Sequence, residues 1–267
     1  MNTGRVAAIV LRQFYLTRGS ITRTVPLFVW VAIDIVLWGF ITKYLNSVSS
    51  AGFDFVPVLL GAVLLWDFFT RVMQGVTMAF FEDVWSRNFL NLFASPLTIT
   101  EYLTGLVITS VITSAVGLVV MIVLAAAVFG LSFNSYGAML VALVLVLFLF
   151  GIALGVAACA IVLRFGPSAE WFVWPIPGLL SPFAGVFYPI ATLPRWMQAI
   201  AAILPPSHVF EGLRAVVAGG AVVPARLGIA AALAVVYVLG ACWLFTRVYR
   251  QAVRIGLIAR YSAESLA

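Results

Sequence analysis

A chain of 267 residues that is 64% hydrophobic and 9% charged, with a mean hydropathy of +1.16, carries more apolar surface than water tolerates. Soluble domains hold about 25% charged residues, so a water-soluble enzyme or binding module is excluded and lipid is the solvent for most of the chain. The net charge of +6 does not point to nucleic acid, because 14 of the 15 basic residues are arginines scattered in small groups at the ends of apolar runs.

The N-terminal stretch "MNTGRVAAIVLRQFYLTRGS" is basic but lacks a compact apolar core followed by a small-residue cleavage site, and so reads as mature protein. Arg5 and Arg12 stand two helical turns apart, with Val6, Ile9, Val10, Phe14 and Leu16 supplying apolar bulk. Residues 1–24 are therefore expected to form a helix lying in the membrane interface. Six apolar segments of about spanning length follow, at 25–42, 56–81, 103–129, 138–163, 171–190 and 227–249. The predicted fold is an all-α polytopic membrane protein of one permease-like domain with six transmembrane helices. Neither an internal repeat nor a low-complexity segment is visible.

An even number of spans places both termini on one side. With those ends cytoplasmic, that side holds Arg5, Arg12, Arg18, Arg23, Arg87, Arg164, Arg247, Arg250, Arg254 and Arg260. The other side holds Lys43, Arg195, Arg214 and Arg226. Ten against four orients the termini to the cytoplasm.

Charge inside the spans is sparse. Asp67 and Arg71 are four apart in "VLLWDFFTRVMQGV", so they share a helix face and can pair. A buried charge costs about 2.5–3.5 kcal/mol on insertion scales, so both are expected to face protein or a watery path. Two readings stay open: a polar lining of a substrate path, or a neutralised pair that fixes packing. Asp34, alone in the first span, can join the same network or stand neutral and hydrogen-bonded. "GIALG", at 151–155, is a GxxxG pattern expected to pack helices within the chain, and Cys159 and Cys242 read as small packing residues.

Two segments outside the spans carry the more specific patterns. The loop 82–102, "EDVWSRNFLNLFASPLTITEY", holds a short amphipathic stretch of Asn88, Phe89, Leu90, Asn91, Leu92 and Phe93 that stops at "ASP". Pro96 is expected to open the next helix with Ser95 as its cap, which makes the stretch a rigid knob on the cytoplasmic face. A plain interfacial turn fits the same residues. Residues 194–226 form the external segment, where "LPRWMQAIAAIL" and "PPSHVFEGLRAV" predict two short helices that cannot span. Pro205 and Pro206 end what precedes them, Ser207 is expected to cap the second helix, and His208, Glu211 and Arg214 follow at three-residue steps on one face. Glu211 can bond to either neighbour. A structural ion network fits these residues better than acid–base catalysis, because the pattern offers no nucleophile or metal.

Absences narrow the chemistry. Lys43 is the one lysine and follows "FIT", so there is no GxxxxGK[ST] loop for ATP. One histidine and two dispersed cysteines make no ordinary zinc site, and the chain has neither a GxSxG elbow nor an acidic cluster for magnesium. No catalytic residue, metal ligand or bound cofactor is expected.

The six-span count, the interfacial N-terminal helix, the loop "LNLFASPLTITEYLTGLVI" and the region "LPRWMQAIAAILPPSHVFEGLRAV" together resemble the type-2 permease subunits of bacterial ABC exporters. The last region resembles that family's proline–small–His–apolar–apolar–acid–x–x–Arg signature, with a second proline in "LPPSH" as a minor departure. The resemblance implies a coupling helix at 88–97 that docks on a separate ATPase, and external re-entrant helices that include His208, Glu211 and Arg214. It also implies a homodimer or a dimer with a similar permease, ATP and Mg handled by the partner, an amphipathic cargo such as polysaccharide, lipid-linked or drug-like molecules, and a bacterial inner membrane. "WDFF" and "WFVW" offer aromatic surface for such cargo, or simply interfacial anchors. The principal alternative is an ion-gradient-driven transporter with Asp34, Asp67 and Arg71 as its relay. An intramembrane enzyme using His208 and Glu211, and a non-transporting anchor, are further readings.

Overall fold

The computed structural model describes residues 1–48, 56–86, 88–132, 136–220 and 224–256, with backbone alone at 26, 27, 89, 90 and 93. Arg87, Arg260 and the side chains of Phe89, Leu90 and Phe93 therefore lie outside what is described. Regular structure in the described residues is helical throughout. Helix α1 (Thr3–Arg18) is followed by α2 (Ile21–Val48), then by a π turn at Val56–Leu60 that leads into α3 (Gly61–Trp85). A short α4 (Phe89–Ala94) precedes the long helices α5 (Ile99–Phe129) and α6 (Met139–Phe165). Next come four short helices, α7 (Glu170–Val173), α8 (Ile176–Ala184), α9 (Arg195–Ala202) and α10 (Pro205–Val217), and finally α11 (Pro224–Arg254).

Five helices are long and apolar enough to cross a membrane: α2, the Val56–Trp85 stretch, α5, α6 and α11. The remaining predicted span, 171–190, is not one helix. It divides into α7 and α8 at Trp174 and Pro175, and α8 ends at Gly185, whose φ is +60°. The reason is local. Pro175 has no N–H to continue the ladder and its ring crowds the carbonyl four residues back, while Pro177 falls in the first turn of α8, where a missing N–H is tolerated, and α8 runs on past Pro182 to Ala184. The chain is a multi-pass membrane protein, and its α9 and α10 form a bent pair long and apolar enough to be a broken span or a re-entrant loop.

Packing is closest where side chains are smallest. A Cβ on Gly151 would meet Val72 at 2.9 Å, and one on Gly155 would meet the Met73 carbonyl at 2.9 Å, so the GxxxG of α6 lets it lie directly on α3. Cys159 continues that buried seam, whereas Cys242 is exposed. Two clusters of buried apolar side chains divide the bundle along its length. Phe69, Phe150 and Phe210 centre one, at the α10 end, while Phe80, Tyr102, Leu163 and Phe245 centre the other, at the α4 end. The bundle core fills its own interior, and the outer faces of α2, α5 and α11 remain open to lipid.

Candidate functional site

The short helix α4 sits between the end of α3 and the start of α5, and its two margins are acidic. Glu82 and Asp83 stand before it and Glu101 after it. Asp83 is 1% exposed, so its charge has to be matched inside the protein. Arg12 of α1 supplies both guanidinium nitrogens, Nη1 at 3.0 Å from Oδ2 and Nη2 on Oδ1, and the Tyr102 hydroxyl donates to Oδ2 at 2.7 Å. The side-chain hydrogen bonds to Asp83 in turn hold the Arg12 guanidinium above its ordinary value. Across the loop, Glu101 accepts from the Asn2 backbone N–H at 2.6 Å and the Thr98 N–H at 3.0 Å, and pairs with Arg5 at 3.5 Å. Arg23, at the start of α2, pairs with Glu82 at 2.9 Å. Three ion pairs therefore strap the N-terminal helix region across both margins of the loop that carries α4.

The α1 sequence explains why it can serve as the strap. Val6 and Ile9 are buried and face α5, where Gly105 leaves room for Ile9: a Cβ there would meet Ile9 Cβ at 2.6 Å. Arg5 and Arg12 flank that stripe on the same helix, so burying the apolar face delivers both guanidinium groups to the acids. The interfacial helix expected at 1–24 is thus α1 plus the first turn of α2, packed on the bundle rather than detached from it.

The expected ending of the knob is corrected in detail. Ser95 closes α4 instead of opening α5: its hydroxyl donates back to the Leu92 carbonyl at 2.6 Å. Pro96 lies outside both helices, and α5 begins at Ile99. A capping box decides this. Thr98 Oγ1 accepts from the Glu101 N–H at 3.3 Å while the Glu101 carboxylate accepts from the Thr98 N–H, satisfying two end groups reciprocally, which Ser95 with Pro96 cannot do. Within α4, Asn91 and Ala94 are exposed, while Leu92 turns inward and packs on the cluster around Phe80 and Tyr102. Asn88 stands at the start of α4.

At the opposite end, α9 and α10 meet at 98°. Pro205 and Pro206 occupy the first turn of α10, so the orphan donors that a cap would serve are missing. Ser207 accordingly caps nothing; its hydroxyl donates to the Ala201 and Leu204 carbonyls and ties the two helices together. Glu211 accepts from Arg214 Nη2 at 2.9 Å and from the Ile190 N–H at 2.8 Å, and Arg214 Nη1 donates to the Gly185 carbonyl at 2.8 Å. Burial opposes the charge on Glu211, but the Ile190 N–H and Arg214 outweigh it and hold the carboxyl below its usual range. His208 takes no part. Its Nε2 lies 3.0 Å from the Ala202 carbonyl oxygen, so that nitrogen carries the proton. Of the expected row, Glu211 and Arg214 come together around the turn after α8, and His208 faces α9.

In the middle of the bundle, Arg71 Nε donates to Asp67 Oδ2 at 2.8 Å, both partly buried on α3. Asp34 on α2 lies within electrostatic reach of both charges. Arg71's stem runs past Gly117 of α5, where a Cβ would sit 3.5 Å from its Cδ. The three intramembrane charges named from sequence are thus one group. The long-range partners Glu82, Asp83 and Tyr102 are what sequence reasoning missed. Their signal was a loop with acids at both margins facing an N-terminal segment with arginines and no acid.

The sequence profile of the ABC-2 type transporter matches residues 6–218. The chain belongs to the ABC-2 type transporter family. The match runs from within α1 to the end of α10, and so covers α4, Arg12 and Arg23 with their acidic partners, and the Glu211–Arg214 turn. Members of this ABC-2 family are membrane permease components of ABC transporters, which makes the chain a transport subunit in partnership with an ABC ATPase. A search of curated proteins found no match.

Proposed function

We propose that this ABC-2 protein is the permease half of an exporter in which α4 is the coupling helix. A separate ATPase grips α4, and a second copy of the chain, or a similar permease, completes the path. The observation that carries the reading is the strap. A six-residue helix between two spans would move alone if pushed, but here its margins are ion-paired to α1 and α2. Force applied at α4 reaches α3, α5 and α1 as one body. ATP and Mg belong to the partner, since the chain has no phosphate loop.

The cargo is an amphipathic molecule, polysaccharide, lipid-linked or drug-like, leaving outward between the two permeases. The arginine distribution supports termini and α4 on the cytoplasmic side of a bacterial inner membrane. On this reading Asp34, Asp67 and Arg71 line or brace the path, and the Glu211–Arg214 turn holds its external end.

The test is co-purification from the native membrane, followed by ATPase assay, with the exposed face of α4 altered by Asn91→Glu and Ala94→Glu. An ATPase is expected to accompany the unaltered chain and to be lost from the double variant at unchanged melting temperature. Ion-driven transport by the chain alone, with no ATPase partner, would overturn the reading and move the centre of function to Asp34, Asp67 and Arg71.

A further inference from the structure

The ends of α6 and α11 enclose a cavity of about 230 Å³, lined by Arg164, Phe165, Val248, Gln251, Ala252 and Ile255. It lies at the same end as α4 but away from the strap. Its polar lining is unusual in kind. Arg164 Nη1 donates to Gln251 Oε1 at 2.8 Å, which occupies the amide's acceptor and turns its NH2 group outward as a donor. The lining side chains thus offer guanidinium N–H and amide N–H donors. The rest is apolar: Val248 and Ala252 form the floor, and Phe165 and Ile255 stand 67% and 63% exposed at the rim.

The described charged residues nearest the cavity on α11 are basic. Arg247 and Arg254 lie one turn to either side of Gln251 on α11, with Arg250 beside them, and all three are exposed. Every described acidic side chain at this end is engaged elsewhere: Glu82 with Arg23, Asp83 with Arg12, Glu101 with Arg5, and Glu170 with the Trp174 indole. Arg164 also lies over the Phe165 ring, at 5.7 Å, which holds it near the rim.

We propose that this cavity is a binding site for the phosphodiester headgroup of an anionic phospholipid. An acceptor-only anion suits the donors of Arg164 and Gln251. An aliphatic floor and an exposed aromatic rim, at the end of two lipid-facing helices, suit the glycerol and the first acyl carbons. Basic pockets between membrane helices at the headgroup level bind lipids in this way. The inference rests on the membrane placement of α6 and α11 and is independent of the ATPase partner.

The test uses the purified full chain in neutral detergent, with short-chain phosphatidylglycerol as the probe and native mass spectrometry as the readout. Short-chain phosphatidylcholine and inorganic phosphate are the comparison probes. Phosphatidylglycerol is expected to bind above both, and Arg164→Gln to weaken it by about fivefold or more, the share of one arginine at a lipid surface. Ile255→Trp fills the cavity from its exposed rim and leaves every arginine in place, so it separates a built site from general attraction. It too is expected to weaken binding by about that factor, and it stands alone as the test if Arg164→Gln fails to fold. Unchanged binding in Ile255→Trp would overturn the proposal. So would inorganic phosphate competing as well as the lipid, which makes the site one for free anions. So would a chain ending at Gly256 that binds lipid where the full chain does not, which makes the chain's own last residues the occupant.

Discussion

The two ends of this bundle are held by different means. At the α4 end, charges distant in sequence meet: Asn2 and Arg5 reach Glu101, Arg12 reaches Asp83, and Arg23 reaches Glu82. At the α10 end, the one ion pair among the described residues is local, Glu211 with Arg214, and ties run to backbone groups at Gly185, Ile190, Ala201 and Leu204. Side-chain pairs between separate elements hold bodies together while leaving each body intact. Bonds to the backbone of a turn instead fix the shape of that turn. The first arrangement suits an end that transmits movement between helices, and the second suits an end that keeps a broken helix pair in form.

The contrast is sharpest at Asp83. Replacing it by alanine removes the carboxylate that Arg12 and the Tyr102 hydroxyl share. Breaking a buried pair from one side costs about 3–5 kcal/mol. The expected result is a large drop in thermal stability in detergent for Asp83→Ala. Arg12→Ala together with Asp83→Ala should fall short of the sum of the single losses, because the second change removes a group already orphaned. Additive losses would mean that the two residues act separately and the strap does not exist as a unit.

How much of this the sequence discloses follows from which interactions are local. The knob at 88–93, the helices α5, α6 and α11 and the pairing of Asp67 with Arg71 are set by composition and four-residue spacing, and were legible. The capping box at Thr98 and Glu101 is also local, yet the Ser-Pro pair beside it offered a competing start, and only the reciprocal bonds decide between them. The 171–190 segment has the hydropathy of a span, but it breaks at Pro175 and ends at Gly185, and hydropathy alone does not see a missing N–H or a left-handed glycine. The strap was illegible for a different reason. Nothing in one sequence says which arginine reaches which acid once α1 folds back on α5. Of the candidate site, the α4 stretch was therefore readable, and the side chains that hold it were not.

Smaller changes should separate the ends further. Glu211→Ala removes the acceptor shared by Arg214 and the Ile190 N–H, and is expected to cost about 1–3 kcal/mol, less than Asp83→Ala. Because the folded carboxyl of Glu211 lies below its usual range, its contribution is complete above an ordinary carboxylate value of about 4.3 and is lost as the pH falls through the lower folded value. Melting curves of Glu211→Gln should therefore converge on those of the unaltered chain as the medium is acidified. A gap that persists in acid would mean that the amide disturbs the turn by shape rather than by charge.

The smallest effect is expected at His208, the residue whose isolation in the sequence draws most notice. Its ring is partly exposed and holds one hydrogen bond, to the Ala202 carbonyl. A single neutral bond of that kind contributes about 0.5–1.5 kcal/mol, and the carbonyl left behind at the exposed Ala202 is open to solvent. His208→Ala should lower stability by less than Glu211→Ala and leave substrate-stimulated ATPase turnover of the assembled transporter within about twofold. His208→Gln, which can still donate to the same carbonyl, should recover the stability. Loss of turnover in a stable His208→Ala protein, unrestored by glutamine, would assign the imidazole a part in transport itself. The α10 end would then do more than hold its shape, and the contrast between the two ends would fail at that residue.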